Sequence, residues 1–221
     1  MRSVVISLGG SLIVPDDIDH AFLKSFRDTI DSCDDYRFFI VCGGGAVARE
    51  YQSAAKDAGI VGHDALDWLG IYASRLNGVL VKSLFGLADD PIVTDPAGEI
   101  PDSHVVVGAG FQPGSSTDLR AVQLALRFSV PDVINMSGVG KVYTADPQKD
   151  DSAQPIDTIR WKDFLPLVGT DWIPGTNAPF DPVASRRASD GELKVHMIGK
   201  DVTNLRACLE GKSFIGTSII P

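Results

Sequence analysis

The sequence predicts an α/β fold with a largely parallel sheet, on three observations. Short apolar segments alternate with amphipathic ones along the chain, the pattern of strands joined by helical crossovers. The segment Tyr36–Cys42 reads as a continuous apolar strand, as expected when helices cover both faces of a sheet. Glycines cluster directly after several apolar segments, where helices open.

Each element follows from its own pattern. Residues 3–8 are rich in β-branched side chains and form the first strand. In His20–Asp31, Phe22, Phe26 and Ile30 recur every fourth residue, which makes one helix face apolar. The strand Tyr36–Cys42 precedes a helix over about 46–58. A longer helix over 66–85 sets Leu66, Leu69, Ala73, Leu76 and Leu80 on one side. Residues 104–107 are the next strand. Ser116 or Thr117 then caps a helix with Leu119, Val122 and Leu126 facing inward. Asp132–Met136 is a strand, and Trp161–Val168 and 181–189 are short helices. Strands over 193–198 and 214–220 end the sheet. Pro and Gly mark two long loops, at about 145–155 and 169–182, and loops of that length are often functional. No repeat or linker divides the chain, so residues 1–221 are expected to form one domain.

Composition narrows the function. The chain has 221 residues, 44% of them hydrophobic and 22% charged, ordinary values for a globular protein. No apolar run approaches the ~20 residues of a membrane helix. The N-terminal stretch runs into Gly9-Gly10-Ser11 and reads as a strand, not a signal peptide. The net charge of −9 argues against a general nucleic-acid binder, which must neutralise phosphates with cations. Cys33, Cys42 and Cys208 are odd in number and widely spaced, so reduced thiols and a cytoplasmic setting are expected. The cysteines and the scattered His20, His63, His104 and His196 show no metal-ligand or triad spacing, and no protein-held metal is expected.

The glycines carry the functional signal. Gly9-Gly10-Ser11, Gly43-Gly44-Gly45, Gly108-Ala109-Gly110 with Pro113-Gly114-Ser115-Ser116-Thr117, and Gly138-Val139-Gly140 each follow an expected strand. In a parallel sheet that edge binds ligands. Glycine lets backbone approach an oxyanion closely, and a helix N-terminus adds unpaired N–H groups. Several such loops on one edge can hold a polyphosphate or two facing phosphates. Gly211-Lys212-Ser213 is not a P-loop, because Arg206 stands at the first glycine position. Gly43-Gly44-Gly45-Ala46-Val47-Ala48 fits the looser G-x-G-x-x-A dinucleotide pattern, with Asp64 or Asp67 about twenty residues on, and keeps a nicotinamide enzyme as an alternative.

ISLGGSLIVP, IVCGGGAVAREYQ, DWLGIYASRLNG, QPGSSTD, VYTADPQKD and NAPFDPVASRRA together resemble the amino acid kinase superfamily, and within it uridylate kinases of the archaeal type. The resemblance runs in order from Val4 to Ser218. It implies a three-layer α/β/α sandwich with a mostly parallel central sheet, Mg-ATP-dependent phosphorylation of UMP to UDP, and a homo-oligomer, usually a hexamer. It implies that Ser7, Gly9, Gly10 and Ser11 lie against the ATP phosphates and that Gly44 faces the UMP phosphate. Gly45 and Arg49 would face the transferred phosphoryl group, and Asp67 would accept the UMP ribose hydroxyls. Gly110, Gln112, Pro113, Gly114, Ser115 and Ser116 would wrap UMP, closed by Thr117, while Ser137, Tyr143 and Asp146 would hold the adenosine part of ATP. Mg²⁺ would ride on the nucleotide phosphates.

Two departures stand out. Where much of the superfamily has a lysine before the first glycine pair, this chain has Ser7. Where Asn-x-Asp-Gly usually precedes Val-Tyr-Thr, it reads Gly138-Val139-Gly140-Lys141, so an acid has become Gly140 and a glycine Lys141. Arg49 and Lys141 are therefore the expected cations of the reaction. The competing readings are a related kinase with another small acceptor, and a nucleotide- or oxyanion-binding protein on the same fold with little or no kinase activity.

Overall fold

The computed structural model describes residues 1–145, 149–172 and 178–221. The elements, in chain order, are β1 (Arg2–Leu8), α1 (Gly10–Ile13), α2 (His20–Asp31), β2 (Tyr36–Cys42), α3 (Gly45–Asp57), α4 (His63–Leu84), β3 (Val105–Gly108), α5 (Thr117–Arg127), β4 (Asp132–Met136), β5 (Val142–Tyr143), β6 (Pro155–Ile156), β7 (Thr158–Arg160), α6 (Trp161–Val168), α7 (Pro182–Asp190), β8 (Lys194–Ile198), α8 (Val202–Leu209) and β9 (Gly216–Ile220).

Among the described residues, seven strands form one sheet in the order β3-β2-β1-β4-β8-β9-β7. All neighbours pair in parallel except β8 and β9. The strands are apolar on both sides because both are buried. Ile6, Leu8, Phe38, Ile40 and Val107 pack on one face with Phe22, Phe26 and Ile30 of α2 and Leu205 and Leu209 of α8. Val5, Phe39, Val41, Val106 and Val133 pack on the other with Ala121 and Val122 of α5, Phe164 of α6 and Ala184 of α7. Alternation along each strand thus feeds two cores and gives the three-layer α/β/α sandwich.

The expected strands and longer helices are present, with β8 and β9 beginning one and two residues later than the pattern suggests. The helix α8 escapes the periodicity because Leu205 and Leu209 alone are buried in it. The α4 face requires correction. Leu66 and Ala73 are buried as expected, but Leu76 is 62% exposed, and the buried side also carries Asp67, Ile71, Ser74, Asn77 and Val81. That side is partly polar because it meets the loops after β2 and β3, not the centre of the sheet. Asn77 donates to the Gly43 carbonyl at 2.8 Å, and Ser74 Oγ accepts from Gly110 N–H at 2.9 Å.

Candidate active site

β1 is flanked by β2 and β4, and the chain builds outward from it in both directions, which makes the ends of β1 and β4 a topological switch point. The register sets Leu8 beside Cys42 and Met136, and Val41 beside Gly108. Four glycine-rich loops therefore leave the sheet side by side. The central one is Gly9–Ser11. On one side its backbone meets the Gly43–Gly45 turn: a Cβ added to Gly10 would lie 2.0 Å from the Gly45 nitrogen. Gly45 itself sits at φ +63, in the left-handed region that favours glycine. On the other side Gly9 N–H donates to the Met136 carbonyl at 2.7 Å, and Ser11 Oγ accepts from Gly138 N–H at 3.3 Å.

Between Gly9–Ser11, α3, α4 and the start of α5 lies a cleft of about 260 Å³. Gly10, Ser11, Gly44, Gly45, Arg49, Asp67, Gly110, Ser115, Ser116 and Thr117 line it, so ten of the residues singled out from the sequence converge here. No side chain caps the first turn of α3, where Ala46 N–H donates to the Val14 carbonyl at 2.9 Å. Arg49 projects from the second turn, exposed, with Nη2 donating to the Pro15 carbonyl at 3.0 Å. The loop before α5 is braced from behind. Arg75 donates to the carbonyls of Gly110 and Phe111, and Arg120 to Ser115 Oγ at 2.8 Å. The cleft thus presents backbone N–H groups, hydroxyls and one exposed guanidinium, donors that suit phosphate oxygens.

Other expected residues stand around the cleft. Ser7, 1% exposed, lies beneath the central loop. Gly114 sends its N–H to Asp67 Oδ2 at 2.8 Å, while Gln112 is exposed and Pro113 half-buried. Ser137 begins the loop after β4, on the far side of Gly9–Ser11, and Tyr143 lies in the β5–β6 hairpin. Gly140 is packed against Gly199, where an added Cβ would come 3.1 Å from the Gly199 nitrogen and ask a shift of a few tenths of an ångström. The Lys141 ammonium contacts Asp157 at 2.7 Å, outside the cleft. Asp146 and Asn177 fall outside the described residues.

Sequence reasoning missed four contributors. Trp172 and Gln52 line the cleft, and Asp118 and Asp181 organise the loops behind it. Asp181 caps α7 through Ala184 N–H and accepts Ser116 N–H at 2.7 Å through its other oxygen. Asp118 is half-buried as a residue, but its carboxyl group faces inward. It accepts from Ser7 Oγ at 2.7 Å, Asn135 Nδ2 at 2.9 Å and Asp181 N–H at 3.3 Å. Burial, reinforced by the Asp181 charge, pushes it up to about 6 against the Ser7 hydrogen bond.

This makes a pH prediction. Between the ordinary carboxylate range and about 6, the native Asp118 holds its proton when the unfolded one has lost it. Its contribution to stability is therefore present at low pH and declines as pH rises through that window, by roughly 3 kcal/mol at most. Asp118→Asn should flatten the fall in Tm between pH 4 and 6.5 relative to the wild type. Parallel pH profiles for the two proteins would remove Asp118 as the source.

A family model described as the amino acid kinase family matches residues 2–199. The chain belongs to the amino acid kinase family. Among amino acid kinases it is similar to the uridylate kinase of Thermoplasma volcanium, 37% identical over 223 residues that cover 99% of this chain and 97% of that one. It is 34% identical to the uridylate kinase of Methanospirillum hungatei, across 99% of this chain and 95% of that protein. The crystal structure of uridylate kinase from Archaeoglobus fulgidus superposes with a TM-score of 0.78 at 30% identity, over 99% of this chain and 100% of that one. This amino acid kinase has, among its described residues, no helix long and apolar enough to cross a membrane.

Proposed function

We propose that this amino acid kinase is a uridylate kinase, a single domain over residues 1–221 that transfers the γ-phosphoryl group of ATP to UMP in pyrimidine nucleotide synthesis. The observation that carries the reading is the position of Gly9–Ser11. It separates a cleft lined by Asp67, Gly110 and Ser115–Thr117 from the Ser137–Tyr143 side of the sheet edge. Donor and acceptor phosphates can meet over it from opposite sides.

Phosphoryl transfer needs positioning and charge stabilisation more than covalent chemistry by the protein. UMP would lie in the cleft with its phosphate on Gly44 and the α3 N-terminus, its ribose on Asp67 and the 110–117 loop around it. ATP would lie with its phosphates along Gly9–Ser11 and Gly45 and its adenosine towards Ser137 and Tyr143, while buried Ser7, its hydroxyl committed to Asp118, would support the loop from beneath. A UMP phosphate oxygen attacks the γ-phosphorus in line and the bond to the bridging oxygen of ADP breaks. No proton need be removed from the attacking oxygen. Gly45, Ser11 and Arg49 would meet the charge on the γ-oxygens. The charge neutralisation that Mg²⁺ supplies would come in with the nucleotide phosphates, held here by Gly45, Ser11 and Arg49. The donors lining the cleft fit such a metal–phosphate unit, since the nearby carboxylates of Asp118 and Asp181 are already committed to N–H and hydroxyl donors. The test is calorimetric. UMP alone and a non-transferable ATP analogue with Mg²⁺ should each titrate to one site per chain, and failure of UMP to bind would contradict the reading.

Lys141 is assigned to ATP. Its partner Asp157 is 85% exposed although the Lys141 side chain is only 24% exposed, and pairs with one partner open to solvent in this way are worth about 1 kcal/mol. The ammonium can therefore turn to a polyphosphate when one binds. Lys141→Ala should raise the KM for ATP at least ~10-fold, about 1.4 kcal/mol, while Asp157→Ala should not raise it. Wild-type kinetics in Lys141→Ala would remove the residue from the site.

The assembly is assigned to a homo-oligomer, with the hexamer as its full form. Trp68, Tyr72, Leu76 and Val79 recur at helical spacing along α4 and are 40–63% exposed. Such a continuous apolar stripe suits a second copy of the same helix. Leu76→Glu should shift sedimentation to a smaller species, and an unchanged profile would discount this face. A cytoplasmic setting is assigned on the odd number and wide spacing of Cys33, Cys42 and Cys208.

A further inference from the structure

We infer that Trp172 is a positioning residue for the acceptor nucleotide, an inference that rests on the uridylate kinase reading: it fixes the Asp67 carboxylate and walls the outer side of the cleft with its ring. The indole N–H lies between the two Asp67 oxygens, 3.1 Å from Oδ1 and 3.2 Å from Oδ2. Gly114 N–H completes the hold on Oδ2 at 2.8 Å. Two neutral donors, one from each of two loops, thus orient a carboxylate that is on a residue only 7% exposed. A carboxylate has about four lone-pair sites. After these two donors it keeps capacity for hydroxyl groups, so the indole acts as a brace and does not occupy the place of the ribose.

The arrangement also has a chemical consequence for selectivity. A fixed, desolvated acceptor rewards a ligand that brings hydroxyl donors and penalises one that leaves it unpaired. Without the indole, the carboxylate can rotate towards water and that discrimination weakens. The other tryptophans cannot substitute: Trp161 is buried and donates to the Leu193 carbonyl, and Trp68 lies on the outer face of α4. Trp172 is half-buried and lines the same cleft as Gly70 and Ile71, placed to sense a bound nucleoside.

Trp172→Phe keeps a ring and removes the donor. It should raise the KM for UMP about 10-fold with kcat within about threefold and the KM for ATP unchanged. The preference for UMP over 2′-deoxy-UMP should shrink in the variant, a readout that loss of packing alone would not move. In the wild type, UMP should change the tryptophan emission, and Trp172→Phe should lose that change. Should Trp172→Phe fail to fold, the wild-type emission decides: no response to saturating UMP overturns the inference. Wild-type KM and undiminished ribose discrimination in a folded Trp172→Phe protein overturn it while leaving the kinase reading intact. A wild-type protein that binds no UMP overturns both.

Discussion

Gly10→Ala is expected to lower Tm by roughly 6–12 °C and to remove turnover. The reason is backbone against backbone. The new Cβ would sit 2.0 Å from the Gly45 nitrogen and 2.6 Å from the Gly43 carbonyl carbon, and neither can move like a side-chain tip. Overpacking of this kind costs about 3 kcal/mol or more, and each kcal/mol shifts Tm by about 2–4 °C in a chain of this size. The same displacement would part the loops after β1 and β2, on which the phosphates are proposed to rest. Gly62→Ala is the control. Its Cβ meets nothing within 4 Å and its φ is ordinary, so only a fraction of the Gly10 effect is expected. Comparable melting of Gly10→Ala and the wild type would contradict the close packing of the two loops.

Arg49→Ala is expected to lower kcat about 100-fold. Arg49 stands one turn beyond the uncapped N-terminus of α3 and lines the cleft beside Ser11 and Gly45. Its tether to the Pro15 carbonyl uses one N–H of the guanidinium. A charge-assisted hydrogen bond is worth roughly 1.5–3 kcal/mol. If that contact strengthens as charge develops on the transferred oxygens, about 2.7 kcal/mol of barrier corresponds to the expected loss. Binding of UMP and of the ATP analogue should weaken less than kcat falls. Because Arg49 is exposed, the variant should fold, so an unchanged rate would exclude the guanidinium from the reaction.

Much of the architecture was legible because its signals are local. A buried strand such as Tyr36–Cys42 must be apolar, and the turn after it needs glycine for a close approach, so both are written in consecutive residues. What eluded the sequence is carried by long-range contacts. The apolar pattern of α4 finds buried Leu66 and Ala73 but not Asp67, Ser74 and Asn77, which are buried through hydrogen bonds to loops elsewhere in the chain that apolar periodicity does not register. Trp172 reaches Asp67 across 105 residues, and Asp181 meets Asp118 across 63, so neither pair has a spacing signature. Gly10 lines the cleft, and the packing of its backbone against Gly45 appears only in three dimensions. The familiar motifs located the cleft, while the groups that hold its walls became visible only with the fold.

The central claim is the identity of the acceptor. It is tested most directly by incubating the wild-type protein with Mg-ATP and an equimolar mixture of UMP, CMP, AMP and isopentenyl phosphate, and following products by phosphorus NMR. UDP should form first and in equal amount with ADP, with the other acceptors consumed more slowly. Faster phosphorylation of any other acceptor, or release of ADP and inorganic phosphate without UDP, would contradict the account.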